Sequence, residues 1–179
     1  LHRAGLPAGV LNLVMGRGSE VGQVLLDDAR VNAISFTGSV ATGARIAQAC
    51  VTRMAKFQLE MGGKNPMVVL DDADLDEASS LAVQGSYKNS GQRCTAVKRM
   101  LVHNAVRQRF TDLVVDKTRA WGFGDPANPK VDMGTVIDEA AAKHFQARVN
   151  DALAQGARLL AGHTREGALY APTVIRPRL

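Results

Sequence analysis

Cys94 follows the polar run Ser90, Gly91, Gln92 and Arg93 in the stretch NSGQRCTAVKR, with Lys98 and Arg99 close behind. Nearby positive charge stabilises an ionised sulfur, so these surroundings favour a thiolate. A thiolate can act as a nucleophile when a base or such cations accompany it. The other cysteine, Cys50, lies in the apolar helical pattern ARIAQACV and reads as a buried filler. Glu60 is the second candidate. It ends the run KFQLEM just before Gly62 and Gly63, where a charge gains nothing from packing. Partial desolvation there would raise its pKa and suit it to act as a base near neutral pH. A strand end projecting into water is the plainer alternative. None of the four histidines has a spacing that pairs it with Cys94, so a cysteine–histidine hydrolase dyad has no support of its own.

Two stretches could hold an anion. GRGSEVG sets Gly16, Gly18 and Gly22 after an apolar run and at the mouth of a helical pattern, where free backbone N–H groups and the helix dipole attract negative charge. It departs from the dinucleotide fingerprint, which would need glycine in place of Val21. A tight turn explains the same glycines. In SFTGS, Gly38 and Ser39 open a helix, and Ser39 can cap it while offering hydroxyl and N–H to a pyrophosphate. The alternative is an ordinary N-cap. DDADLDE packs five acids into seven residues but lacks the glycine and glutamate of a calcium loop. Acids favoured by a helix N-terminus account for it, and no metal site is expected.

The elements that must position these residues alternate between β-rich runs and amphipathic helical stretches, as βαβ units and a mostly parallel sheet require. The opening LHRAGLPAGV reads as the tail of a helix, and strands are predicted over 10–15, 32–36, 56–61, 65–70 and 99–104, then near 157–162 and 169–175. Helices are predicted over 19–29, 40–55, 72–89, 105–121 and 139–154. Asp74 and Glu77 are placed as N-cap and N3 of a capping box. Val106, Phe110, Leu113 and Val114 share one helical face, as do Phe145, Val149 and Leu153. Residues 122–134 are dense in Gly, Pro and Asp and read as irregular. Gly62 and Gly63 form the expected hinge.

Composition narrows the classes. With 179 residues, 46% hydrophobic and 22% charged, the chain can bury a sizeable core. No apolar run exceeds a few residues, so no membrane span is expected. The net charge is +5, but the cations are scattered and aromatics make up 4%, which argues against a nucleic-acid partner and for an anionic small molecule. Two cysteines without metal-ligand spacing suit cytoplasmic thiols.

AGLPAGVLNLVMGRGSEVG, ISFTGS, LEMGGKNP and SGQRCTA follow one another in an order that resembles the aldehyde dehydrogenase superfamily, with 34 residues from Glu60 to Cys94. The resemblance implies an α/β fold: the later part of a Rossmann-like coenzyme domain over residues 1–61, joined to most of an α/β catalytic domain over 62–179. It also implies that these residues are the middle portion of a longer enzyme and that alone they turn over no substrate. By the same resemblance Cys94 matches the nucleophile and Glu60 the general base. Gly16, Gly18, Gly22, Phe36, Gly38 and Ser39 match positions lining the pyrophosphate and nicotinamide side of NAD or NADP, and Gly62 lies near the nicotinamide. The backbone N–H of Cys94 would hold an oxyanion, while its side-chain partner and the residue separating NAD from NADP fall before Leu1. A homodimer or homotetramer is the implied assembly.

Within the superfamily, YKNSGQRCTAVKRMLV, MGTVIDEAAA and GALYAPTV resemble the phosphonoacetaldehyde dehydrogenase branch, near the non-phosphorylating glyceraldehyde-3-phosphate dehydrogenases. FQLEMGGKNPMVVLDDADL resembles the ketoglutarate-semialdehyde type. All three substrates are anionic, which places Arg93 and Thr95 on the substrate side. A guanidinium pairs well with phosphonate or carboxylate. Arg93 has two other readings: it lowers the thiol pKa, or it caps a neighbouring carbonyl. Two further functional classes stay open, a coenzyme-independent cysteine hydrolase and a catalytically silent piece that binds a partner. The paired FTGS and LEMGG stretches favour the dehydrogenase, because a hydrolase has no use for a coenzyme cleft.

Overall fold

Residues 33–61 fold as the β–α–β segment that their pattern predicts, in a computed structural model that describes residues 2–178. The chain divides into two compact units, Leu1–Gly62 and Gly63–Leu179. In the first unit, strand β1 (Ala33–Gly38) runs parallel to β2 (Lys56–Met61), with Thr37 opposite Glu60 and Gly38 opposite Met61. Parallel neighbours need a crossover, which α2 (Val40–Thr52) provides. The 40–55 helix stops at Thr52 because Met54 takes a left-handed φ of 57° and Ala55 N–H folds back onto the Cys50 carbonyl at 2.9 Å. Leu26, Ile46 and the fully buried Cys50 form the small core, with Ile34, Phe36 and Leu59 packed against it. Gly43 lets α2 approach β2, since a Cβ there would collide with the Met61 sulfur.

Two predicted elements of this unit differ in the structure. The strand expected over 10–15 does not form: Val10, Leu11, Leu13, Val14 and Met15 are exposed coil. A strand is held by hydrogen bonds to a neighbour, and among the described residues none lies beside this segment. The helix expected over 19–29 is a π-helical turn (Gly18–Gly22) running into the short α1 (Gln23–Asp27). At the start of the chain, His2–Ala4 forms one 3-10 turn, while Leu1 of the expected helix tail, like Leu179, lies outside the described residues.

The second unit repeats the alternation with a larger core. Strand β3 (Asn65–Val69) pairs in parallel with β4 (Val97–Val102) across α3 (Leu75–Tyr87), and α4 (Arg107–Ala120) follows. Asp74 caps α3, its carboxylate accepting from the N–H groups of Asp76 and Glu77 at 3.0 and 3.1 Å, so the Asp74 half of the expected capping box forms. Val69, Leu75, Ala82, Val83, Phe110 and Val114 make the core, with Tyr87, Met100, Val102 and Trp121 against it. The 122–134 loop closes on itself through an isolated bridge between Phe123 and Met133, and Met133 is buried. Helix α5 (Glu139–Ala154) matches its predicted bounds, capped by Asp138, which accepts from Ala141 N–H at 2.7 Å.

The C-terminal strands are antiparallel: β5 (Arg158–Ala161) with β8 (Val174–Arg176), and β6 (Arg165–Glu166) with β7 (Leu169–Tyr170). The single strand predicted near 169–175 therefore splits around Ala171, Pro172 and Thr173. The β6–β7 hairpin was not foreseen, since two residues per strand leave no periodicity to read. Among the described residues no helix is long and apolar enough to cross a membrane.

Candidate active site

Cys94 stands exposed on the loop between α3 and β4. Its loop is held on several sides. Asn89, Ser90 and Gly91 take consecutive left-handed φ values of 56°, 54° and 68°, a costly backbone for the two non-glycine residues. Glycine is required at Gly91, where a Cβ would lie 2.9 Å from the Ser86 carbonyl oxygen. The turn is fastened by side chains: Ser90 Oγ lies 3.0 Å from the Gly134 carbonyl and 3.1 Å from that of Thr135, and Gln92 Oε1 accepts from Ile137 N–H at 2.9 Å. Arg93 Nη2 donates to the Gly85 carbonyl near the end of α3 at 2.9 Å. Of the readings open to Arg93, carbonyl capping is therefore present, and its Nε is buried without a partner among the described residues.

On the other flank, Asn65 Nδ2 donates to the Cys94 carbonyl and lies 3.4 Å from that of Ala96. Lys98 Nζ donates to the Arg93 carbonyl at 3.3 Å. Thr95 is exposed. One residue before Asn65, burial and then the like charges of Arg148, Lys98 and Arg99 push the Lys64 ammonium below the ordinary lysine value. Lys98 and Arg99, which follow Cys94 in the sequence, are thus among the charges that act on Lys64. Asn65, Ser90 and Gln92 had no role assigned from sequence. The only signal available was their polarity in the quoted motifs, and their partners lie up to 45 residues away.

In the first unit, Glu60 is exposed near the end of β2. The partial desolvation expected for it is absent, because its side chain stands on a strand face that the unit's own residues do not cover. The carboxylate is available to solvent and to whatever binds there. Ser39 acts as the N-cap of α2, its Oγ accepting from Thr42 N–H at 3.2 Å and also lying 2.9 Å from Thr42 Oγ1. The Phe36 ring covers Gly38, where a Cβ would come 2.5 Å from Cζ, and Val21 closes on Gly16 in the same way. Gly18, Gly22 and Gly62 differ: a Cβ at any of them would meet nothing within 4 Å. Their φ values are not those reserved for glycine, so neither conformation nor packing within the chain demands glycine there. Close approach of a ligand to the backbone is what such positions allow.

Among the described residues no three His, Cys, Asp or Glu side chains gather as a metal site. A shallow concavity lined by Gln23, Leu26, Arg45 and Gln48 between α1 and α2 contains none of the candidate site residues.

Comparison with known proteins identifies the family. The aldehyde dehydrogenase family profile matches residues 1–177, and the chain belongs to that family. An α-ketoglutaric semialdehyde dehydrogenase of Bacillus subtilis is 43% identical over 161 residues, covering 90% of this chain and 33% of that protein. The crystal structure of a betaine aldehyde dehydrogenase from Staphylococcus aureus in complex with NAD+ superposes with a TM-score of 0.91 at 34% identity, over 97% of this chain and 36% of that one. A glyceraldehyde-3-phosphate dehydrogenase of Methanocaldococcus jannaschii complexed with NADP gives 0.91 at 36% identity, over 97% and 38%. The α/β fold is that of aldehyde dehydrogenase structures, with the Rossmann-like coenzyme-domain region among its parts. The chain spans about a third of the length of the relatives it matches.

Proposed function

We propose that the protein carries out NAD(P)-dependent oxidation of an aldehyde to the carboxylic acid, with Cys94 as nucleophile and Glu60 as the base of the hydrolytic half. One observation carries the reading: in a member of this family, the only exposed cysteine sits on a strained loop held by converging hydrogen bonds. Residues 1–61 contribute the coenzyme side and 62–179 the catalytic side. Gly18, Gly22 and Gly62 leave backbone open to a dinucleotide, while Gly16, Phe36, Gly38 and Ser39 shape the turns beside it. NAD or NADP, when bound, supplies the hydride acceptor.

The Cys94 thiolate adds to the aldehyde carbon, and the Cys94 N–H steadies the resulting oxyanion. Loss of hydride from that carbon leaves a thioester on the sulfur. Glu60 then takes a proton from water, the hydroxide adds to the thioester carbonyl, and the acid departs as the thiolate is restored.

The substrate is proposed to be an anionic aldehyde of the phosphonoacetaldehyde kind. The second reading is a ketoglutarate semialdehyde, favoured by the Bacillus relative's name and its 43% identity. A non-phosphorylating action on glyceraldehyde 3-phosphate is a third member of the same anionic class. Thr95 and Arg93 belong to the substrate side in this proposal, Arg93 with one nitrogen already committed to Gly85. A cytoplasmic homodimer or homotetramer completes it.

The test uses the full-length protein with phosphonoacetaldehyde, ketoglutarate semialdehyde, glyceraldehyde 3-phosphate and propanal, each with NAD and NADP. Cys94→Ser abolishes oxidation of all four, and Glu60→Gln gives a single burst of reduced coenzyme without turnover. Wild-type turnover in Glu60→Gln refutes its role as base. Arg93→Leu lowers kcat/KM about ten- to a hundredfold for the anionic aldehydes, the size of a lost charge-assisted hydrogen bond, and much less for propanal. Equal losses on all four leave Arg93 as a tether of the loop alone.

A further inference from the structure

Strand β3 begins with a residue whose side chain does what its neighbour's backbone cannot. Pro66 has no N–H to give to β4, and the parallel ladder slips there: Asn65 faces Val97, but Pro66 faces Arg99, so Lys98 has no opposite number. At this break the Asn65 side chain reaches across to the backbone that precedes β4. Both atoms it meets are carbonyl oxygens, of Cys94 and of Ala96, and carbonyls only accept. The amide nitrogen must therefore face them. Among the described residues this is the one side-chain hydrogen bond made to the backbone of Cys94. Ser90, Gln92 and Arg93 fasten only the segment before it.

We propose that Asn65 is a positioning residue for Cys94, its amide holding the Cys94 carbonyl and so setting the direction in which the sulfur and the Thr95 N–H leave the loop. The Cys94 carbonyl lies in the peptide plane joined to the Cα that bears Cβ and Sγ, so fixing that plane fixes ψ at Cys94. Freed from Asn65, the plane could rotate while the upstream clamps stayed in place. A thiolate displaced by about 1 Å from its line of attack loses on the order of a hundredfold in rate. The inference rests on the reading of Cys94 as the nucleophile.

The experiment uses the full-length protein and the variants Asn65→Ala and Asn65→Asp, the second keeping the shape while removing the N–H donors at neutral pH. Steady-state kinetics are measured well below the unfolding midpoint of each variant, together with amide hydrogen exchange read by mass spectrometry. The expected result is a fall in kcat of about ten- to a hundredfold with KM changed by less than about threefold. Exchange over residues 94–97 should quicken about tenfold or more, as a lost local clamp implies, while α3 and α4 keep wild-type protection. A purely structural role would lower the unfolding midpoint and leave kcat in place, which overturns the proposal. So does unchanged exchange at 94–97. Should Asn65→Ala fail to fold, Asn65→Asp carries the same readings. Activity surviving in Cys94→Ser would instead remove the nucleophile reading and this inference with it. A dead Cys94→Ser beside a fully active Asn65→Ala sinks the inference alone.

Discussion

Residues 10–15 (VLNLVM) and residues 97–102 (VKRMLV) carry apolar β-formers at similar density, yet only the second becomes a strand. Strand β4 lies beside β3 over α3 and buries Met100 and Val102 against the main core. Residues 10–15 have no neighbour among the described residues, and Leu13 and Met15 are 85% and 81% exposed. Propensity proposes a strand, and pairing decides it. The same contrast separates the two units as wholes. The second closes six buried side chains around Phe110, whereas the first has three buried side chains and glycines whose openness nothing within it requires. The proposed nucleophile sits in the unit that is over-determined, and the proposed coenzyme contacts in the one that is not.

Ways to break this comparison run from large effects to small. Phe110→Ala should destabilise the protein by about 3–5 kcal/mol, read by denaturant unfolding, because it empties the centre of the second unit's core. Gly91→Ala should cost about 1–3 kcal/mol, since a left-handed residue would push its Cβ against the Ser86 carbonyl. His163→Ala, which removes the ring bonded to Tyr170 Oη at 2.6 Å and Asn150 Oδ1 at 2.9 Å, should cost about 1–2 kcal/mol. Leu13→Ser in the 179-residue chain should change stability by less than about 0.5 kcal/mol. A loss as large as that of Phe110→Ala would show that residues 10–15 are packed after all.

The smallest effect is electrostatic. The Arg30 guanidinium bonded to Asp28 lowers that carboxyl to about 2. A depressed folded pKa adds stability above the unfolded value, and this is lost as pH falls from the ordinary 3.8 through about 2. Asp28→Asn should therefore be less stable than the parent above that window, and the two should converge as the pH falls through it. Arg30 is exposed and Asp28 only half-buried, so the difference should be slight and should shrink further with added salt.

Much of the fold was legible because helices and paired strands obey periodicity. Helix α5 and strand β2 fall on their predicted bounds, and Asp74 and Ser39 cap the helices they precede. What escaped was whatever depends on distant partners. The failure of residues 10–15 is a missing neighbour, and β6–β7 is a hairpin of two residues per strand. In the candidate site, the sequence marked Cys94 as no buried filler, and it stands exposed. The desolvation expected of Glu60 was not met, since a strand's sequence does not say what covers its faces. The clamp from Asn65 could not be foreseen either, because it follows from a ladder broken by Pro66, and register is not written in either strand alone.

The central claim is that Cys94 carries the acyl group. Full-length Glu60→Gln, mixed with the aldehyde and NAD or NADP and quenched in acid within a few turnovers of the parent, is digested with trypsin and its peptides are weighed. Cleavage after Arg93 and Lys98 releases the five residues that begin at Cys94. The account predicts that this peptide gains the mass of the acyl group, in amount matching the reduced coenzyme formed. An unmodified Cys94 peptide alongside a full burst of reduced coenzyme would contradict it.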